Sequence, residues 1–62
     1  MMFRVFFNEL EMNAFPARAE ALSTARKMSR ELDRDVVVEG PRSRFIYTEG
    51  MLDRYWFETR RR

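Results

Sequence analysis

The sequence has no cysteine and no histidine, and only one lysine, two glycines and two prolines in 62 residues. Without cysteine there is no disulfide staple, no thiolate nucleophile and no thiolate metal site. Without histidine, the side chain best suited to proton transfer near neutral pH is missing. Ser23, Thr24, Ser29 and Ser43 therefore have no imidazole to activate them, and Lys27 sits among polar residues that would not desolvate it into a nucleophile. No run approaches the ~20 apolar residues of a bilayer span. The opening segment, broken by Arg4, lacks the charged-then-apolar order of a signal peptide. These absences set the expectation of a soluble, cytoplasmic protein with no membrane partner, no enzymatic activity, and no catalytic residue, metal or cofactor.

What the chain has in quantity is aromatic surface and arginine. Phe3, Phe6, Phe7, Phe15, Phe45, Tyr47, Tyr55, Trp56 and Phe57 make nine rings, each able to bury roughly 150 to 250 Å². A domain of ~60 residues hides only about 60% of the surface its unfolded chain exposes, so part of this ring surface is expected to meet a partner. Eleven arginines help give a formal charge of +2, but Arg60, Arg61 and Arg62 supply three of the positive charges. The body without them holds nine basic and ten acidic residues, a net of −1. The expected organisation is a single domain over 1–59 followed by a basic tail, 60–62.

Periodicity outlines the elements. Met2 to Leu10 opens as a strand in which Phe3, Val5 and Phe7 alternate with Arg4, Phe6 and Asn8. Glu11 to Phe15 reads as a short connection, with Pro16 placed in the first turn of a helix and Asn13 as a candidate cap. From Ala17 to about Leu32, the residues Ala21, Leu22, Ala25, Met28 and Leu32 recur at helical spacing and predict a buried stripe. Arg26, Lys27, Arg30 and Arg34 lie opposite. Val36 to Glu39 is a β-branched strand, Gly40 to Ser43 a turn, and Arg44 to Thr48 the returning strand. Tyr55 and Phe57, alternating with Arg54, Trp56 and Glu58, favour a further C-terminal strand over a short helix.

The expected fold is α+β, a small β-α-β-β domain with one helix on a three-stranded sheet and the C-terminal strand as a fourth. A right-handed crossover would set the first two strands parallel. A helix of about 16 residues is ~24 Å long and ~10 Å wide, too small to roof every ring, so an aromatic face is expected on the side of the sheet away from the helix. Aromatic residues and arginine are enriched at binding hot spots. Arg44, Phe45, Tyr47, Arg54, Tyr55 and Trp56 are therefore the candidate partner-binding residues. The partner would be another protein or a second copy, and a further reading is an obligate homodimer with a structural role, whose rings serve only its own stability.

Nucleic acid is the rival partner, since arginines interleaved with rings can neutralise phosphates and stack bases. Arg26, Lys27 and Arg30 on the helix, with Arg60, Arg61 and Arg62, are the further candidate contacts for nucleic acid or an acidic partner. The acidic residues spread through the body oppose that reading. Glu9 with Glu11 and Asp33 with Asp35 are spaced as carboxylate pairs, but both sit beside connections and read as solvated surface. The segment Gly40-Pro41-Arg42-Ser43 has one glycine and leads into no helix, so it matches no phosphate loop.

The element order resembles the tiny β-α-β-β proteins common in phages and bacterial accessory genomes. The resemblance rests on Phe15 ahead of the helix, Glu20, Ala21 and Ala25 within it, Val36 to Val38 with Gly40-Pro41 after it, and Tyr47 in the returning strand. It covers roughly Met2 to Tyr47 and carries no catalytic signature. For phage members of such groups it implies binding, and inhibition or redirection, of a host protein.

Overall fold

The computed structural model describes residues 1–58. Five strands and one helix follow in the order β1 (Phe3–Phe7), β2 (Leu10–Phe15), α1 (Arg18–Leu32), β3 (Val36–Gly40), β4 (Ser43–Thr48) and β5 (Met51–Phe57). They form a single sheet with spatial order β2-β1-β3-β4-β5, antiparallel at every junction. The α+β class, the helix and the C-terminal strand agree with the sequence reading, and the strand count rises to five.

The additional strand is β2, which the sequence reading treats as a connection. Asn8 and Glu9 take φ of 53° and 66°, the left-handed pair of a two-residue hairpin turn whose twist suits antiparallel strands. The chain thus reverses before it enters the helix. The expected parallel pairing of the strands flanking the helix fails for this reason: β1 lies antiparallel to β3, and the helix instead links β2 to β3, which run parallel with β1 between them. Asn13 belongs to β2 and not to a cap, and Pro16 precedes the helix instead of occupying its first turn.

Register sorts the side chains into rows. On the helix side lie Phe15, Phe3, Gly40, Ser43 and Phe57, then Asn13, Val5, Val38, Phe45 and Tyr55, then Leu10, Phe7, Val36, Tyr47 and Leu52. Seven of the nine rings fall in these rows, and the reverse side receives only Phe6 and Trp56. The expectation of an aromatic reverse face is corrected accordingly. The strict period of two sends Phe3 and Phe7 of β1 and Phe45 and Tyr47 of β4 to the helix side and Phe6 to the other.

Val5, Ala21, Ala25, Val36, Val38, Phe45 and Tyr47 form the buried core, with Phe3, Phe7, Phe15, Leu22 and Met28 packed around it. The helix meets the sheet through Ala21, Ala25 and Ser29, all fully buried. Small side chains every fourth residue make one stripe that lets the helix backbone approach closely. Leu32, expected on that stripe, is 45% exposed at the helix end. Gly40 allows another close approach, because a Cβ there would run into the Phe3 ring and lie 2.8 Å from Ser43 Oγ. The helix ends on Asp33 with φ 55°.

Its start is less well provided for. Ala17 occupies the N-cap with extended backbone (φ −103°, ψ 132°) and makes no side-chain capping bond, while Glu20 stands in the first turn. Ala17→Ser would complete a Ser-x-x-Glu capping box. We expect about 1 kcal/mol of added stability, read as a rise in melting temperature of about 4–8 °C for a domain of this size. An unchanged or lower midpoint would contradict this account of the helix start.

Candidate interaction surface

The fifth strand is held in place from two directions. Glu49 and Gly50, with φ of 53° and 79°, form the tight turn between β4 and β5. Ser29 ties this turn to the helix: its hydroxyl donates to the Arg26 carbonyl at 3.0 Å and accepts the Gly50 N–H at 2.8 Å. Nearby, the Thr48 hydroxyl donates to Asp35 Oδ1 at 2.9 Å, linking the end of β4 to the segment after the helix. At the other end of the strand, Glu58 N–H donates to the Arg42 carbonyl at 2.9 Å.

Although β5 is fixed along its length, it is not covered. Every residue from Met51 to Phe57 is exposed. The helix packs mainly on β3, β4 and β1 and least on β5. A helix ~10 Å wide spans about two of the ~4.8 Å gaps between strands, so a five-stranded sheet must extend past it. The strand on which this falls is rich in apolar groups: Tyr55 is 62% exposed, Trp56 57%, Phe57 47% and Leu52 43%.

The exposed groups divide between two surfaces. On the helix side, Leu52, Tyr55 and Phe57 join Phe45, Leu22 and Arg18 around a shallow groove between β5 and the helix. Phe57 packs edge-on against Phe45, with centroids 5.5 Å apart, and against Tyr55 at 5.7 Å, so the rings form one continuous cluster. On the reverse side, Arg44 stands opposite Trp56 and Ile46 opposite Arg54, and these four line a second depression with Tyr55. Arg44 pairs with Glu39 at 3.3 Å, and Arg54 with Asp53 at 3.5 Å. All four partners are largely exposed, so each pair contributes little to stability.

Of the candidate partner-binding residues, Arg44, Arg54, Tyr55 and Trp56 converge on β4 and β5. Phe45 and Tyr47 are removed from that group, because their strand positions point them beneath the helix, where they are 4% and 8% exposed. Phe57 continues the candidate segment Arg54 to Trp56, whereas Leu52 is a surface residue that the sequence reading does not single out. For Phe57 the alternation with Trp56 was a usable signal; for Leu52 it was hidden by a bulge at Asp53, where the register steps from Ile46↔Arg54 to Tyr47↔Leu52. Arg26, Lys27 and Arg30 are exposed on the helix. Arg30 lies beside the β4–β5 turn, its Cβ 3.3 Å from where a Gly50 side chain would begin. Arg60, Arg61 and Arg62 lie outside the described residues.

The carboxylate pairs do not assemble a site. Glu11 bonds Arg4 at 3.2 Å across the hairpin, Glu9 sits in the turn, and Asp35 accepts the Thr48 hydroxyl. Among the described residues no cluster of three metal-ligating side chains occurs, and no helix is long and apolar enough to cross a membrane. Comparison with protein-family models, curated proteins and solved structures finds no match to this chain.

The Ser29 clamp makes a direct prediction. Ser29→Ala keeps the small volume the helix contact needs but leaves the Gly50 N–H without its acceptor, a loss of about 1–3 kcal/mol. Denaturant unfolding should show a lower midpoint with an unchanged slope, and the Gly50 amide should exchange faster than its neighbours in β4. Wild-type stability in this variant would show that the turn is not held by the helix.

Proposed function

We propose that this chain is a non-enzymatic protein-interaction module that docks a protein partner through the β4–β5 surface. The observation that carries the reading is β5 itself: a rigidly anchored strand, exposed at every position, that presents Leu52, Tyr55, Trp56 and Phe57 with Arg54 among them. Rings on a sheet lose little conformational freedom on binding, and an anchored strand requires little ordering. Aromatic residues with a flanking arginine are the usual composition of an interface centre. Inhibition or redirection of a host protein, as the resemblance implies, would be one form of this activity.

Nucleic acid binding is the second reading, supported by the juxtaposition of Arg44, Trp56 and Arg54 on the reverse side. Against it, Arg44 and Arg54 are each paired with a carboxylate, and Glu39 lies in the same row as Arg44. The two readings differ in salt dependence, since phosphate contacts release counterions and weaken steeply as salt rises.

The test is capture on immobilised protein after nuclease digestion, at low and moderate salt. Wild type should retain a protein partner that Tyr55→Ser with Trp56→Ser releases by tenfold or more, while Leu10→Ser with Met12→Ser on the opposite edge releases none. Retention that disappears on digestion would replace this reading with the nucleic-acid one. Equal retention by both double variants would remove β5 from the function.

A further inference from the structure

We infer that β5 pairs with the β5 of a second copy of this chain, antiparallel and centred on Trp56, to join two sheets into one of ten strands. The inference rests on the reading of β5 as a protein-binding surface and names the partner. It starts from the backbone. Glu58 N–H bonds to the Arg42 carbonyl on the β4 side. In an antiparallel ladder the backbone groups of alternate residues point the same way, so Arg54, Trp56 and Glu58 direct theirs toward β4. Tyr55 and Phe57 direct theirs to the open edge. This stretch is regular, because the bulge at Asp53 lies before it.

Two copies related by a two-fold axis perpendicular to the sheet at Trp56 set Tyr55 of each against Phe57 of the other. All the outward N–H and C=O groups of those residues are then matched, giving four backbone hydrogen bonds. The same register makes the side chains self-complementary. Residues 54–58 read Arg-Tyr-Trp-Phe-Glu, a segment with opposite charges at its ends and rings between. Reversal about Trp56 places Arg54 against Glu58 twice on the reverse side, with the two Trp56 rings between the ion pairs. On the helix side, Tyr55 and Phe57 of both copies extend the ring cluster already built on Phe45. Moving the axis two residues along the strand, to Arg54, would set arginine against arginine, a like-charge pair directly opposite and therefore disfavoured.

The opposite edge does not offer the same match. β2 carries a bulge at Met12, where the pairing steps from Val5↔Asn13 to Phe6↔Glu11, and its Glu11 is engaged by Arg4. Bulges and edge charges of this kind discourage pairing. The contact of β5 with itself closes after two copies, whereas a β2-to-β5 contact would propagate. Burying about 100 Å² from each of the three half-exposed rings in both copies gives about 600 Å², and the backbone and charged ends add to it, which places the contact among weak, reversible interfaces below ~1,200 Å². A weak dimer, with a dissociation constant between about 1 μM and 1 mM, is the consequence.

Analytical ultracentrifugation between about 1 μM and 1 mM, a range that brackets such an affinity, should show monomer and dimer and nothing larger. Glu58→Arg, an exposed change outside the core, should weaken dimerisation at least about tenfold. Arg54→Glu combined with Glu58→Arg exchanges the charges and should restore it to within about threefold, as two re-formed ion pairs require. Amide exchange at Tyr55 and Phe57 should slow as concentration rises, while exchange at Leu10 does not. A monomer at the highest concentration, polymers, or a charge-exchanged variant that stays as weak as Glu58→Arg would each overturn the inference. If the wild type is monomeric yet still captures another protein through Tyr55 and Trp56, the pairing of copies fails and the protein-interaction reading stands.

Discussion

The close approach of the helix to the sheet governs both what this molecule hides and what it shows. Ala21, Ala25 and Ser29 carry so little volume that the helix settles directly over Val5, Val36, Val38 and Phe45. A helix so low on the sheet shields its central strands well, and its flanks have nothing above them. Larger residues on that stripe would lift the helix and open the centre without reaching further sideways. The uncovered outer strand thus follows from the same packing that closes the core.

Ser29 has two roles within this arrangement. As a small residue it completes the stripe, and as a hydroxyl it is the acceptor for the Gly50 amide. The helix therefore sets the position of the β4–β5 turn even though it contributes little cover to β5. Anchoring without burial is the condition that makes an exposed strand a usable surface, since a strand free to fray would lose its apolar groups to local collapse.

Much of this was readable in the sequence. The helix shows in the three-and-four spacing of its apolar residues, β3 and the turn after it in Val36–Val38 and Gly40-Pro41, and β5 in the alternation around Trp56. The arginine and ring content of residues 54–56 marked Tyr55 and Trp56 as candidate surface rings. β2 could not be found in the same way, because Leu10–Phe15 holds no β-branched residue and includes Glu, Met, Asn and Ala, which disfavour or are indifferent to strands. It is a strand because β1 offers it a ladder through the Asn8–Glu9 turn, which lacks the Asn-Gly pair that would have announced it. That omission led to the wrong relation between β1 and β3. The place of Ser29 was likewise illegible, since a serine at helical spacing gives no hint of an amide 21 residues away.

The arrangement of β1 between β2 and β3 also bears on how the chain assembles. The first hairpin and the three-strand meander after the helix each close through short turns, so their pairings are local and quick to form. Joining them requires the ladder that begins at Phe7 and Val36, across the whole length of the helix. The two halves thus meet along one interior seam, and closing it costs the loop entropy of the helical linker between them.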